Sequence, residues 1–307
     1  MSCQISKIYK YLPSSVETIS ALCKKNKNWD EKEIIKKTGI YKKRIQHEGG
    51  IKSLILGLRR KNKIPELKDC GLLILVTQTP SFSIPSNIHF FQKVFNLKKK
   101  ALAFDINQGC SGYLYGLTVC NSLMKTNKIN AAALITCDTY SNHISSNNRT
   151  TRTIFGDGLT LTILKKKTKN KNFLNFSLGS DARGFDNFKL EKNEIVMNGS
   201  EMYNFATNYV PLEVTKILKK TRINKNQIKY FIFHQASKIL LDTIQRKLNI
   251  PDKKFLRNLS NHGNTVSSTI PLILFDLIKK KKIKKNDHIL LSGFGVGYSW
   301  GTCVYRH

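Results

Sequence analysis

Four short apolar runs constrain the fold of this chain more than any other feature. Two lie in the first half, at residues 71–77 and 131–137, and two in the second, at 228–233 and 289–292. Runs of this length without polar alternation are typical of strands buried on both faces, as in parallel sheets covered by helices. The sequence therefore predicts a weak internal duplication of an α/β unit, in which 71–77 corresponds to 228–233 and 131–137 to 289–292.

Segments with helical spacing separate these strands. Apolar residues recur every three or four positions, and Gly39 suits the C-terminal cap of a helix predicted over residues 29–37. Further helices are predicted over a segment with Ile19, Leu22 and Cys23, residues 51–58, 87–95, 111–124 and 203–220, a segment with Ile239, Leu240, Ile244 and Leu248 on one face, and 266–280. Further strands are predicted up to Pro13 and over 159–164, and a long polar loop over 141–153.

A charged connector at residues 165–172 is the best candidate for a junction between two halves. The predicted N-terminal half covers residues 1–165 and the C-terminal half covers residues 173–307. In both halves helices separate apolar strands. Two parallel-rich sheets, with helices between and outside them, are the natural packing, so the predicted fold class is α/β.

The chain is strongly basic, with 52 Lys and Arg residues against 20 Asp and Glu residues and a net charge of +32. Such a surplus is common in proteins that bind nucleic acids, anionic membranes or acidic proteins. However, 42 of the basic residues are lysines, in short runs beside many asparagines and isoleucines, which is typical of AT-rich coding spread over solvated faces. No zinc finger, RNA-recognition signature or basic zipper is present. We therefore expect no nucleic-acid partner.

The seven cysteines include no CxxC pair, zinc spacing or dense disulfide framework. This pattern favours a reducing compartment and predicts no metal site. The N-terminal stretch MSCQISKIYKYLP lacks the apolar core of a signal peptide, and the longest apolar runs, such as residues 270–278, are too short to span a bilayer. We expect a cytoplasmic protein without a membrane partner.

Cys110 is the first candidate for chemistry, because it lies where a strand-like segment turns into an apolar helix. The positive end of the helix dipole and the N–H groups of the first turn favour the thiolate, which is the nucleophilic form of cysteine. A buried structural cysteine is the alternative, and this stretch alone does not decide between them.

Other polar residues gain meaning only in combination. His234 directly follows the strand 228–233, although a single histidine there is more often structural. Asn264 lies in a turn-rich stretch before a helix, where asparagine is a routine cap. Residues 293–297 form a predicted glycine-rich turn whose backbone N–H groups could face a ligand. Because ligand sites in open α/β sheets gather at the carboxyl ends of strands, the placement of Cys110 and His234 favours a nucleophile.

The order of four motifs resembles one family. These motifs are Gln108-Gly-Cys-Ser-Gly112, His234-Gln-Ala-Ser237, Asn261-His-Gly-Asn-Thr265 and Gly293-Phe-Gly-Val-Gly-Tyr-Ser-Trp-Gly301. Together they resemble the β-ketoacyl-acyl-carrier-protein synthase III family of thiolase-fold condensing enzymes. Shorter matches extend the resemblance over nearly the whole chain: Tyr11-Leu-Pro13, Lys37-Thr-Gly-Ile40, Phe155-Gly-Asp-Gly158 and Met197-Asn-Gly-Ser-Glu201.

The resemblance implies a thiolase-like duplicated five-layer αβαβα architecture and a catalytic triad of Cys110, His234 and Asn264. It also implies an oxyanion hole formed by the backbone N–H groups of Cys110 and Val296. Cys110 would accept an acyl group from a thioester. A malonyl thioester would then lose carbon dioxide, while His234 and Asn264 stabilise the enolate, and the carbanion would attack the acyl-cysteine.

Substrates and partners are likewise implied by the resemblance. No cofactor would be permanently bound, and the substrates would be acyl-CoA or acyl-carrier protein together with malonyl-carrier protein. The acidic carrier protein would dock on Arg246 and Lys247, and the enzyme would be a homodimer. In the family, a tryptophan and two arginines clamp the adenine of coenzyme A. Lys37 stands at the position of the first arginine, and Arg149 matches the second.

Two departures from the family bear on substrate choice. Glu33 stands where the clamp has a tryptophan, which favours a carrier-protein donor over a CoA-linked primer. Ile84 stands where an aromatic residue often closes the acyl pocket, which leaves the limit on chain length open.

Two other functions remain open from the sequence. The first is a thiolase-fold acyltransferase that passes the acyl group from Cys110 to a hydroxyl or amine without decarboxylation. The second is a non-catalytic binder of nucleic acid or anionic surfaces on this scaffold, which would bind with a steep salt dependence.

Overall fold

The structure is a computed structural model, and it describes residues 2–97, 100–167 and 171–307. Its strands are β1 Ser2–Tyr11, β2 Val16–Thr18, β3 Lys42–Arg44, β4 Leu72–Val76, β5 Leu102–Ile106, β6 Ala131–Asp138, β7 Gly158–Lys167, β8 Phe173–Ser180, β9 Phe188–Glu191, β10 Glu194–Met197, β11 Ile228–Phe233, β12 Phe255–Leu256, β13 His288–Gly295 and β14 Ser299–Arg306. Its α-helices are α1 Ile19–Lys25, α2 Glu31–Thr38, α3 Gly50–Lys61, α4 Asn87–Val94, α5 Gly112–Thr126, α6 Arg149–Arg152, α7 Gly199–Thr221, α8 Lys238–Leu248, α9 Leu259–His262 and α10 Thr269–Lys279.

Two five-stranded sheets have the same topology. The first has the order β1-β7-β6-β4-β5, and the second, read from β8, has the order β8-β14-β13-β11-β12. In each sheet the third, fourth and fifth strands are parallel and the first two join by antiparallel pairing. Thus β4 corresponds to β11 and β6 to β13, which confirms the correspondence predicted from the four apolar runs.

Helices complete a five-layer αβαβα arrangement. Between the sheets, α5 and α10 bury apolar residues against both of them, including Leu117 and Leu274. Helices α3 and α4 cover the outer face of the first sheet, and α7 and α8 cover the outer face of the second. Helix α5 approaches the first sheet closely at Gly116. A Cβ added there would lie only 2.5 Å from Leu134 Cδ1, so the close approach requires glycine. Strands covered on both faces must be apolar throughout, which explains the uninterrupted runs.

Most predicted elements are confirmed to within a few residues. Helix α2 ends as expected, because Gly39 has a φ of +72° and its N–H donates to the Ile35 carbonyl. No helix within the described residues has both the length and the apolar character needed to cross a membrane.

Several predictions from the sequence are wrong. The loop over 141–153 contains helix α6 and part of a 3-10 turn at Tyr140–His143. Residues 165–167 of the predicted connector continue β7, while 168–170 lie outside the described residues. The proposed glycine turn is narrower than expected, because β13 extends to Gly295. Ile239 is 49% exposed and does not share the buried face of α8. The hairpin of β9 and β10 was not predicted.

Candidate active site

Cys110 lies in the turn that joins β5 to α5, two residues before the helix begins. The end of β13 approaches it closely. An ideal Cβ at Gly295 would lie 2.7 Å from Cys110 Cβ and 3.1 Å from its Sγ, and one at Gly293 would lie 2.8 Å from the Cys110 carbonyl oxygen. Glycine at these two positions therefore allows the second sheet to reach the thiol.

The environment of Cys110 does not favour the thiolate. Burial raises the pKa of the thiol above its usual value, the nearby Asp138 carboxylate raises it further, and the backbone N–H at Cys110 lowers it. Burial and Asp138 therefore oppose the thiolate form that the helix start favours, and a base beside the thiol would help it to react.

His234 follows β11 as the sequence predicts, and its backbone N–H donates to the Ser292 carbonyl at 2.8 Å. The imidazole is buried, with Nδ1 2.8 Å from Thr269 Oγ1. Burial lowers its pKa to about 3, although a hydrogen bond with the Val266 backbone opposes this change. The ring is therefore neutral at physiological pH.

Asn264 lies beside His234, with its Nδ2 3.3 Å from His234 Nε2. The Asn264 side-chain oxygen accepts a hydrogen bond from the Val266 N–H at 2.9 Å. The Asn264 backbone is fixed to the segment that follows α6, since its N–H donates to the Ile154 carbonyl at 2.9 Å and its carbonyl accepts from the Gly156 N–H at 3.0 Å. These contacts hold the amide against the imidazole.

Cys110, His234, Asn264 and Val296 border one cavity of about 160 Å³. The rest of its wall is mostly apolar: Ile154, Phe155, Phe188, Met197, Gly199, Met202, Tyr203, Ala206, Ala236, Ser237, Ile239, Leu240, Phe294 and Gly295. Val296 lies in the turn between β13 and β14, and its carbonyl accepts from Ser299 Oγ at 2.8 Å.

Aromatic side chains close one side of the site. The ring centroids of Tyr140 and Phe155 are 5.0 Å apart, and Phe188 lies 6.1 Å and 6.0 Å from them. Together with Cys110 these rings belong to one apolar cluster. An apolar wall beside a thiol can hold a hydrocarbon group and exclude water.

The other predicted site residues lie away from this cavity. Ile84 is 90% exposed and does not border it, so the expected contact with the acyl pocket is absent within one chain. Lys37 and Arg149 both pair with Glu33, at 2.7 Å and 3.4 Å. Neither of them borders the cavity.

Arg246 and Lys247 are exposed in the last turn of α8. The Arg246 guanidinium donates to Thr243 Oγ1 at 3.4 Å, and Lys247 Nζ donates to Asn208 Oδ1 at 3.0 Å. Neither residue borders the cavity.

Thr269 and Phe188 were not among the site residues predicted from the sequence. Phe188 is the first residue of β9, which pairs with β10. Two short segments separated only by Lys192-Asn193 are a pattern from which this hairpin could have been predicted. Thr269 is the first residue of α10 and has no distinguishing local pattern.

Comparisons with known proteins identify the family of this chain. The model for 3-oxoacyl-[acyl-carrier-protein] synthase III matches residues 104–182, and the model for its C-terminal part matches residues 218–307. The chain is 33% identical to β-ketoacyl-[acyl-carrier-protein] synthase III of Prochlorococcus marinus subsp. pastoris, covering 96% of this chain and 94% of the relative. The chain belongs to the β-ketoacyl-acyl-carrier-protein synthase III family.

Solved structures agree with this assignment. A crystal structure of 3-oxoacyl-(acyl-carrier-protein) synthase III superposes with a TM-score of 0.95 at 29% identity, covering 100% of both chains. The Pseudomonas aeruginosa enzyme of that name superposes with a TM-score of 0.91 at 25% identity, covering 100% of this chain and 98% of that one. The fold is therefore the thiolase-like duplicated αβαβα architecture, and the protein is a ketoacyl-synthase-III-type condensing enzyme.

Proposed function

We propose that this enzyme uses Cys110 to hold an acyl group and then extends that group with malonyl-carrier protein. The observation that carries the proposal is that a half-buried thiol, a neutral imidazole and a carboxamide border the same mostly apolar cavity. This set supplies a nucleophile, a proton acceptor and a neutral hydrogen-bond donor.

In the first half-reaction, His234 Nε2 takes the thiol proton as Cys110 Sγ attacks the thioester carbonyl. The backbone N–H groups of Cys110 and Val296 are the proposed donors to the resulting oxyanion. The intermediate collapses by breaking the bond to the donor sulfur, which leaves as a thiol with the proton from Nε2. His234 is then neutral again, and Cys110 carries the acyl group.

In the second half-reaction, the malonyl carboxylate leaves as carbon dioxide and negative charge develops on the thioester oxygen. Asn264 Nδ2–H and His234 Nε2–H donate to that oxygen. Charge balance requires one proton from solvent, which enters at Nε2. The carbanion attacks the acyl carbon, the bond from carbon to Cys110 Sγ breaks, and the thiolate takes the proton from Nε2. The apolar wall strengthens these hydrogen bonds and protects the acyl-cysteine from water.

Two assays test this scheme. Intact-mass analysis after incubation with acyl donors should show an adduct that Cys110→Ala loses, and an unchanged adduct in that variant would refute the nucleophile. Carbon dioxide release from malonyl thioester should be lost in His234→Ala and Asn264→Ala. Transfer of the acyl group to a hydroxyl or amine without carbon dioxide release would instead support a non-decarboxylating acyltransferase.

The ion pairs of Glu33 favour a carrier protein as the acyl donor. Its carboxylate pairs with both Lys37 and Arg149, the two cations that the resemblance assigns to coenzyme A. A CoA-linked donor would have to displace Glu33 and tolerate its charge. Arg246 and Lys247 remain available to an acidic carrier protein on the exposed end of α8.

The size of the cavity favours a short acyl primer. A cavity of about 150 Å³ is large enough for benzene, and the cavity beside Cys110 has about 160 Å³. Because the thioester arm of the donor must also enter, the aromatic wall leaves room for only a few carbons of the acyl group.

A homodimer through β5 would explain two exposed apolar features. Strand β5 is an edge of the first sheet, and its Leu102 is 46% exposed. The loop that carries Ile84 is fastened to β5, because the Asp105 carboxylate accepts from the N–H groups of Asn87 at 2.6 Å and Ile88 at 2.9 Å. In such a dimer, Leu102 and the loop that carries Ile84 would both lie at the interface.

The division into an N-terminal half, 1–165, with Cys110 and a C-terminal half, 173–307, with His234 and Asn264 is part of this proposal. The cytoplasm is the proposed location, since the cysteine spacing contains no disulfide framework.

A further inference from the structure

We infer that Thr269 is a positioning residue that, together with the Val266 backbone, holds a fixed proton on His234 Nδ1 and so confines proton exchange to Nε2. The inference rests on the proposed function, in which Nε2 exchanges protons with Cys110. It concerns how the imidazole and the Asn264 amide are oriented.

Val266 is the centre of this arrangement. It is fully buried and has a φ of +53°, a left-handed conformation that is rare for a β-branched residue. Its N–H donates to Asn264 Oδ1 at 2.9 Å, and its carbonyl accepts from Thr269 Oγ1 at 3.1 Å. Such conformations persist where the surroundings enforce them, often at active sites. Val266 thus binds Asn264 directly through its N–H and fixes Thr269, the partner of His234, through its carbonyl.

The hydrogen bonds of Thr269 determine which nitrogen of His234 carries the proton. A hydroxyl has one proton to donate, and Thr269 donates it to the Val266 carbonyl. Thr269 Oγ1 must therefore accept at its 2.8 Å contact with His234 Nδ1, so Nδ1 carries the proton.

The opposite nitrogen then has a lone pair. Because Asn264 Oδ1 is occupied by the Val266 N–H, the amide presents Nδ2–H to His234 Nε2, at 3.3 Å. A donor at this position requires an unprotonated Nε2. Two independent sets of contacts, through Thr269 and through Asn264, thus lead to the same tautomer.

This arrangement directs proton transfer. Thr269 Oγ1 can accept from Nδ1–H in both the neutral and the cationic ring, so Nδ1 keeps its proton throughout. Only Nε2, beside the cavity, gains and loses one. With Thr269→Val the ring would be free to take the other tautomer, whose Nε2–H cannot accept the thiol proton and opposes Asn264 Nδ2–H.

Nitrogen-15 NMR of the histidine ring tests this directly. In the wild-type enzyme we expect a bare, pyridine-type signal for His234 Nε2 and a protonated signal for Nδ1. Thr269→Ser keeps the hydroxyl and should retain this pattern, whereas Thr269→Val should show a mixture of tautomers. A protonated Nε2 in the resting wild-type enzyme would overturn the inference even if Thr269→Val failed to fold.

Kinetics supply the second readout. We expect Thr269→Val to lower kcat for acylation of Cys110 by at least about tenfold with little change in KM, and Thr269→Ser to restore most of the rate. Wild-type rates in a folded Thr269→Val enzyme would overturn the inference. His234→Ala in the same assays distinguishes a failure of the proposed function from a failure of this inference. If His234→Ala keeps full activity, the proposed function fails. If His234→Ala loses activity but Thr269→Val does not, only the role of Thr269 fails.

Discussion

Gly295→Ala should damage the active site by moving the nucleophile. The added Cβ would lie 2.7 Å from Cys110 Cβ and 3.1 Å from Sγ. Carbon atoms in contact are separated by about 3.5–4.0 Å. The cysteine or the end of β13 must therefore shift by roughly 1 Å to relieve the overlap.

Such a shift is small for the fold but large for the reaction. Overpacking of this kind costs about 1–3 kcal/mol of folding free energy. A misplacement of about 1 Å at a reacting centre can lower the rate by about 10²-fold. We therefore expect a folded variant whose rate of Cys110 acylation falls by about two orders of magnitude.

Time-resolved intact-mass measurement of the acyl-enzyme gives this rate, and thermal unfolding monitors the fold. Gly199→Ala is a matched control, because Gly199 borders the same cavity but its added Cβ would meet no atom within 4 Å. The control should change the acylation rate by less than about threefold. Equal rates in wild type and Gly295→Ala would refute the argument that close approach of β13 positions the thiol.

Three further substitutions test charge, shape and burial. Glu33→Gln should raise kcat/KM for acyl-CoA donors by about two- to fivefold, because it frees Lys37 and Arg149. Glu31→Gln in the same helix is the control and should leave kcat/KM unchanged. An unchanged kcat/KM in Glu33→Gln would contradict the proposed preference for a carrier-protein donor. Phe188→Ala should gain about fourfold in kcat/KM for each added CH₂ of the primer until the new space is filled, and an unchanged chain-length profile would exclude Phe188 from the acyl pocket. Burial raises the pKa of Asp138 to about 7, so the native state binds more protons than the unfolded chain between about pH 4 and pH 7. Stability from this group is therefore complete below about pH 4 and is lost as pH rises to about 7, by up to about 4 kcal/mol, and denaturant titrations of Asp138→Asn should lack this decline.

Local sequence predicted the elements whose structure depends on their own residues. The continuous apolar runs correctly predicted β4, β6, β11 and β13. A strand that is covered on both faces has apolar side chains at every position, so its sequence shows no polar alternation. The Gly39 cap followed from the left-handed conformation that glycine adopts readily. The order of motifs around the triad was enough to indicate the family, which the comparisons confirmed.

Other features depended on residues far apart in the chain. The pKa shifts of Cys110 and His234 arise mainly from burial, which exists only once both sheets are packed. The end of β13 approaches the thiol from the opposite half of the molecule, so no local pattern around Cys110 reveals it. Ile84 shows the opposite case, since a motif position predicts a pocket contact that is absent within one chain and stays a prediction for the dimer.

The sequence by itself thus determined the strand core and the duplication and predicted the reactive groups, because these depend on side-chain chemistry and short-range periodicity. Only the tertiary structure decided how those groups are charged and oriented. Val266 and Thr269 illustrate the reason, because their effect on His234 requires a buried backbone turn and a helix start to meet a strand end some 30 residues away in sequence.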